Sequence, residues 1–331
     1  MKISSVIVHY NTRERLNHCL DAIEKWGPTE DIEYLVVDNA SNNDISDIIF
    51  NHNSKVKLIS NENNHGWAKA ANIGISHSSG EYILFMTPGT LITNGLIRNL
   101  TDFLDSHPNA GGVGPTQIDE MGILQPIHTK TGVIRPLWAW QKLRRCFPIH
   151  SNYPGERIDR DLPNIKVSCL SGFCFMIRRL ALDQAEYFDE WPFMFGEEID
   201  LSLRLNKLGW DCFVLPKIKA VHYQGSSYKP NPSLRRWVEQ CRLASRYYWR
   251  RKHYGYACGL IESTLGTINF LTRALYNIML IPISSRQTTS VSIKEDLNQC
   301  YTSIKLMIWG QRHANKIMNI ARDRGNTSST N

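Results

Sequence analysis

Three carboxylates, Glu197, Glu198 and Asp200, crowd the stretch 191–210, where an aromatic segment gives way to an amphipathic pattern. Leu201, Leu205 and Leu208 recur at helical spacing, Asp200 and Arg204 stand four apart as an ion-pair spacing, and Gly209 is a stop signal. Negative charge at a helix start is favoured by the helix dipole, so the cluster fits a cap. A cap is the first reading of such a cluster; the other is a general base, because a carboxylate held at that point can take a proton from a nucleophilic hydroxyl. Which role it plays depends on what the rest of the chain places beside it.

The elements before this stretch alternate. Strands are predicted over 3–10, 33–38, 56–60 and 82–86, with helices over 12–25, 67–76 and 94–106 between and after them. Short apolar strands separated by helices argue for an α/β fold with a mostly parallel sheet and helices on both faces. Ligands bind beyond the carboxyl ends of such strands, which sets His9-Tyr10-Asn11, Asp38-Asn39 and Thr87-Pro88-Gly89-Thr90 along one rim. Neither G-x-G-x-x-G nor G-x-x-x-x-G-K-[ST] occurs, so nothing supports hydride transfer or a P-loop ATPase. Residues 117–165 form an irregular insertion carrying Arg135, Trp138, Trp140, Arg144, Arg145 and Tyr153. Strands are again predicted over 166–179, 211–215 and 218–222.

With 331 residues, 42% of them hydrophobic and 21% charged, the chain folds around a full core and is not disordered. Eight scattered cysteines without a C-x-x-C pair read as reduced thiols, and the start shows no signal-peptide pattern, so a cytoplasmic protein is expected. Charge is unevenly spread: residues 1–228 hold 22 Lys/Arg against 26 Asp/Glu, whereas 229–331 hold 16 against 5. Two domains are therefore expected, 1–228 and a basic helical region 229–331 ending in a disordered tail over 325–331. The basic region includes a helix over 233–254 and an apolar run over 255–283. Aromatic and aliphatic residues mixed with its cations point to an anionic membrane surface rather than nucleic acid, with packing on the first domain or homo-oligomer formation as the alternatives.

Six motifs, in order, then carry a resemblance: Val6-Ile-Val-His-Tyr-Asn11, Val37-Asp-Asn-Ala-Ser41, Asn63-Asn-His-Gly-Trp-Ala-Lys-Ala-Ala-Asn-Ile-Gly74, Ser171-Gly-Phe-Cys-Phe-Met-Ile-Arg178, Phe195-Gly-Glu-Glu-Ile-Asp-Leu201 and Val221-His222. Together they resemble family-two inverting glycosyltransferases of the GT-A fold, in the rhamnosyltransferase-like branch of bacterial surface-polysaccharide enzymes. The resemblance covers roughly residues 3–255. It implies that Asp38 accepts a hydrogen bond from the donor base, that His9 and Tyr10 line that base, and that Lys69 and Asn72 lie near the phosphates or sugar. It makes Glu198 the base, with Glu197 as fallback and Asp200 orienting its neighbours. Gly172 leaves room near the donor sugar. Trp191 and Phe193 are core aromatics or, alternatively, a stacking platform for the acceptor sugar.

In place of the family's acidic metal motif the chain has Thr87-Pro88-Gly89, and His222 matches a histidine that otherwise assists that metal. Metal independence is expected, with diphosphate charge met by His222, Lys69, Arg178, Lys229 or the basic helix 235–251. A divalent Mg²⁺ or Mn²⁺ site built from Glu197, Asp200 and His222 is one alternative, and a catalytically silent glycan-binding scaffold is another. The implied donor is dTDP-rhamnose or a UDP-sugar. The implied acceptor is a glycan or lipid-linked saccharide, reached from the cytoplasmic face of the inner membrane.

Overall fold

Strand β1 (Ile3–His9) is buried at every position, and its alternation sets the layers around it. Ile3 and Ile7 face one apolar cluster with Leu16, Leu20 and Ile23 of helix α1 (Arg13–Trp26) and Leu96, Leu100 and Leu104 of α4 (Leu96–Ser106). Val6 and Val8 face the other, with Ala71 and Ile75 of α3 (Trp67–Ser76) and Leu201 and Leu205 of α6 (Glu197–Lys207). Strand β4 (Tyr82–Met86) divides likewise, Leu84 and Met86 to the first cluster and Ile83 and Phe85 to the second. A two-residue side-chain period covered on both faces gives three layers, helices on either side of one sheet.

The computed structural model describes residues 2–27, 30–52, 56–124, 163–223, 232–279 and 286–327. The remaining strands are β2 (Ile32–Asp38), β3 (Val56–Ser60), β5 (Thr90–Leu91), β6 (Ala110–Ile118), β7 (Ile165–Val167), β8 (Cys174–Arg178) and β9 (Asp211–His222), with short helices α2 (Ser46–Asn51) and α5 (Arg179–Gln184). They run in the order β3-β2-β1-β4-β8-β6-β9-β5, with β7 beside β9. Strands β3, β2, β1 and β4 are mutually parallel, and β6 is parallel to β9. Strand β8 enters antiparallel to β4 and β6.

Register does the positioning. His9 pairs with Asp38, Met86 with Cys174, and Thr90 with His222, so the ends of β1, β2, β4 and β9 and the start of β8 share one rim. Strand β6 escaped the sequence reading because its Gly-Gly and Gly-Pro steps break the usual strand signal. The two strands expected over 211–222 are one, with an irregularity where β9 passes Pro216.

The chain forms two compact units, one of 1–131, 153–227 and 322–331, the other of 132–152 and 228–321. In the second, α7 (Pro232–Tyr254) packs on α8 (Tyr256–Met279) across a turn at Gly255, and α9 (Arg286–Thr327), whose residues from 322 onward belong to the first unit, breaks at Gly310. Buried Arg250 and Glu262 pair at 2.8 Å between α7 and α8. Helix α9 continues through 325 to 327, so these residues are helical where a disordered tail was expected, and Gly325 is buried; 328–331 lie outside the described residues. The insertion residues Arg135, Trp138, Trp140, Arg144, Arg145 and Tyr153, and Lys229, lie outside the described residues. Among the described residues seven cysteines form no disulfide, and burial pushes Cys19, Cys169 and Cys212 up to about 12.

Candidate active site

At the end of β2, Asp38 is held by a small network. The peptide N–H of Thr12 donates to His9 Nε2 at 3.2 Å, which leaves the ring proton on Nδ1, 3.0 Å from Asp38 Oδ1. Ser41 Oγ donates to the same oxygen at 2.6 Å and in turn accepts the Asn11 N–H at 2.9 Å. Burial opposes ionisation of Asp38, but the hydrogen bonds from His9 and Ser41 outweigh it and hold the carboxyl below its usual range. His9 is fully buried, so it braces Asp38 from behind and does not line a base as expected. Tyr10 stays half-buried at the rim. Next door, Asn39 donates to Asn64 Oδ1 (2.8 Å) and Gly66 O (3.2 Å), fixing the loop that leads into α3.

Of the two α3 residues, Lys69 is exposed and near His65, whose pKa is lowered by burial and by that lysine. Asn72 is committed elsewhere: its amide exchanges hydrogen bonds with the Phe188 backbone at 3.0 and 3.1 Å, making it a clamp and not a phosphate contact. Arg178 also leaves the expected set. It pairs with Tyr82 across the sheet and donates to Leu104 O at 2.7 Å, at the rim opposite Asp38.

Thr87, Gly89 and His222 do come together. The Thr87 hydroxyl pairs with Thr90 at 3.1 Å, Gly89 O accepts the Tyr223 N–H at 3.0 Å, and His222 stacks on Phe173 at 5.2 Å. Ser171 donates to Gln117 Oε1 (3.3 Å), turning the Gln117 amide nitrogen toward His222 Nδ1 (3.0 Å) and leaving the neutral ring's proton on Nε2. A hydroxyl, a carbonyl already paired and an imidazole do not fit Mg²⁺ or Mn²⁺, which favour carboxylate and water oxygens. The alternative set of Glu197, Asp200 and His222 fails too, since Asp200 is buried against Arg204 Nε at 2.8 Å. Among the described residues no three His, Cys, Asp or Glu side chains are grouped to hold a metal.

Glu198 is the second residue of α6, which starts just after Phe195 and Gly196, both at positive φ (73° and 87°). A phenylalanine in that region is strained, and here the strain turns the chain so that the helix starts at the cleft. The Glu198 carboxyl lies against Gly172: a Cβ there would sit 3.1 Å from its carboxyl carbon. Burial raises the Glu198 pKa, while the N–H groups of Glu198, Gly196 and Ile199 pull it back. Glu197 is buried, and burial and then the Glu198 charge push its pKa up. Two neighbouring carboxyls so placed do not both ionise readily, and the deeper burial of Glu197 favours the proton on that side of the pair. Ser202 ties the arrangement down, donating to Glu198 O (2.6 Å) and accepting the Leu170 N–H (3.1 Å).

Trp191 is half-buried and Phe193 buried, so Phe193 belongs to the packing and not to an acceptor platform. The end of α9 reaches this loop. Arg322 donates to Trp191 O at 2.8 Å, Tyr10 donates to Gly325 O at 3.4 Å, and a Cβ on Gly325 would meet the Phe193 ring at 2.9 Å. Nothing in the local sequence around 322–325 announces this contact. Gln117 was missed because its strand was, whereas Ser41 sat inside a motif already singled out.

The model of glycosyl transferase family 2 matches residues 4–185, more than half of the chain. The chain belongs to that family. The model of glycosyl transferase family group 2 matches residues 161–302. An N-acetylglucosaminyl-diphospho-decaprenol L-rhamnosyltransferase of Mycobacterium tuberculosis is 26% identical over 222 residues, 61% of this chain and 70% of the relative. The dTDP-rhamnosyl transferase RfbF of Shigella flexneri is 35% identical over 121 residues, 35% of this chain and 39% of the relative. A mannosyltransferase from Pyrobaculum calidifontis, solved with GDP-Man and Mn²⁺, superposes with a TM-score of 0.58 at 14% identity, covering 93% of this chain and 87% of that one. This family 2 glycosyltransferase thus has the GT-A fold and moves sugar from a nucleotide-sugar donor in glycan synthesis. No helix among the described residues is long and apolar enough to cross a membrane.

Proposed function

We propose that this glycosyltransferase is an inverting enzyme that passes a sugar such as L-rhamnose from dTDP-rhamnose, or a UDP-sugar, to a lipid-linked saccharide in surface-polysaccharide synthesis of the O-antigen kind. The observation that carries it is Glu198, half-buried at a helix start against Gly172 with a second carboxyl behind it. The carboxylate takes the proton of the acceptor hydroxyl as that oxygen bonds to sugar C1. The bond from C1 to the diphosphate oxygen breaks on the opposite face, and the electron pair leaves with the nucleoside diphosphate. Asp38 accepts the pyrimidine ring N–H, Tyr10 packs on the base, and Gly172 keeps the sugar side open.

The reaction is further proposed to need no divalent cation, with Lys69 and the His222 Nε2–H offsetting leaving-group charge. Rhamnose is favoured by the two rhamnosyltransferase relatives, and a peripheral position on the cytoplasmic membrane face by the basic helical unit. The test is a donor screen read by nucleotide release, with the product anomer assigned by NMR. Turnover of a dTDP- or UDP-sugar, inversion at C1 and a rate unchanged by EDTA support the proposal; retention, or loss with EDTA and rescue by Mn²⁺, refutes the corresponding part. Donor binding without turnover would select the silent scaffold, which the missing acidic motif at Thr87-Pro88-Gly89 otherwise favours.

A further inference from the structure

One cavity of the helical unit takes no part in the transfer chemistry. It has a volume of about 550 Å³ and is lined by Tyr256, Trp309, Gly310, Arg312, His313 and Lys316. The break in α9 creates it. Gly310 takes φ 52° and ψ −128°, and a Cβ there would lie 2.7 Å from the Tyr247 hydroxyl oxygen, so this backbone course requires glycine. Past the break the helix restarts, and the first peptide N–H groups of that second stretch, from Gln311 to His313, run along the lining and add partial positive charge to it.

The side chains add full charges. Arg312 and Lys316 are exposed and four residues apart, hence on one helix face. His313 Nδ1 is buried with no hydrogen-bond partner among the described residues. Burial and then Lys305 and Lys316 lower its pKa, the response of an imidazole in a positive field. Local acid does not cancel that field. Residues 229–321 contain 14 Lys/Arg and 4 Asp/Glu. All four acids are already in ion pairs, Glu239 with Arg242, Glu262 with Arg250, Glu295 with Arg235 and Asp296 with Arg273.

Around the cavity the surface is apolar. Ile308 and Trp309 are 64% and 58% exposed, and Lys305 Nζ lies 4.1 Å from the Tyr301 ring centroid and 5.8 Å from that of Trp309. Helix α8 lies alongside, with Thr264 donating to Met307 Sδ at 3.4 Å. It exposes Ile268, Leu271, Leu275 and Ile278 at helical spacing. Exposed aliphatic and aromatic residues bordered by uncompensated cations are the makeup of an interfacial surface, where lysine stems and indole rings lie between acyl chains and headgroups. An acidic protein partner would satisfy the cations but would not account for the aliphatic row.

We infer that this cavity receives the phosphate of an anionic membrane lipid, held by Arg312, Lys316 and the Gln311–His313 peptide groups, while Ile308 and Trp309 enter the acyl region. This deepens the membrane-facing part of the proposed function and rests on it. The test uses the full chain with phosphatidylcholine vesicles, with and without phosphatidylglycerol, by co-sedimentation at fixed ionic strength. Wild type is expected to bind only the anionic vesicles. Arg312→Ala/Lys316→Ala is expected to bind them ~30-fold more weakly, since each cation at an anionic surface contributes about fivefold. The charge-matched control Lys252→Ala/Lys294→Ala, at two other exposed sites of the unit, should lose less than ~3-fold.

Equal losses in the two variants mean diffuse attraction and overturn the cavity assignment, as does no loss in either. Failure of the wild type to bind any vesicle overturns the membrane reading itself, while transfer to a water-soluble acceptor would leave the chemistry of the site intact. Replacing chloride by inorganic phosphate should shift vesicle binding less than ~2-fold, because lipid binding also draws on buried apolar surface; full displacement by phosphate identifies a free-anion site and overturns the lipid assignment. Circular dichroism checks that both variants fold.

Discussion

Replacing Gly172 by alanine adds one methyl at the most sensitive point of the site. The new Cβ would meet the Glu198 carboxyl carbon at 3.1 Å, its Oε1 at 3.3 Å and its Cγ at 3.4 Å. Ordinary contact begins near 3.4 Å, so the carboxyl must retreat by a few tenths of an ångström. A misplacement of ~1 Å costs on the order of 10²-fold in rate, so a shift of about a third that size should cost roughly fourfold in kcat. Asp38 lies at the other end of the proposed donor site, and the donor KM should hold within ~2-fold. Removing a glycine also lowers the entropy of the unfolded chain by ~0.4–1 kcal/mol, which offsets the contact, so Tm should barely move. The assay is steady-state nucleotide release beside a thermal melt, repeated in a Glu198→Gln background, where the alanine should add less than ~2-fold because its target is gone. Wild-type kcat in Gly172→Ala, or the same roughly fourfold loss without the Glu198 carboxylate, would refute the claim that this glycine acts through that side chain.

Three further outcomes follow from the same geometry. Because burial raises the Glu198 pKa, kcat/KM should fall as pH drops through a value above the ordinary glutamate range; an acid limb at or below about 4.3 would place the active carboxylate in a more solvated site. Burial and the Glu198 charge push the Glu197 pKa up to about 8, and a carboxyl whose pKa is raised on folding loses stability as pH climbs past its unfolded value. Glu197→Gln should therefore keep kcat within ~3-fold and raise Tm at pH 8, and a loss of ~10²-fold or more would make Glu197 the base instead. Arg204→Ala removes the partner of buried Asp200 and the donor to Tyr187 O; denaturant unfolding should show a loss of about 3 kcal/mol, and a change under ~1 kcal/mol would contradict the bracing role of that pair.

The parallel part of the sheet from β1 to β4 was legible because each of those strands wrote its own pattern. Val6-Ile-Val and Leu35-Val-Val are continuous apolar runs that only a strand covered on both faces needs. Strand β6 was illegible for the converse reason, since Gly111, Gly112, Gly114 and Pro115 lack strand-forming side chains and are held by neighbours far away in sequence. Rim residues were found by position, but their orientation was not. His9 and Asn72 stand in the right places, yet one faces inward to Asp38 and the other toward Phe188. Arg178 was misread because β8 runs antiparallel, which sends the last residue of that strand to the far rim. The seating of Arg322 and Gly325 on residues 10, 190–193 and 64 is tertiary, and no local pattern encodes it.

The central claim is that Glu198 takes the acceptor proton. The most direct measurement is transfer by Glu198→Gln, followed by nucleotide release, with donor affinity taken in parallel by titration calorimetry. Glutamine keeps the shape against Gly172 and removes the base, so the rate should fall by ~10²–10⁴-fold while the donor Kd changes less than ~2-fold. A variant that retains a third or more of wild-type turnover would contradict the assignment outright.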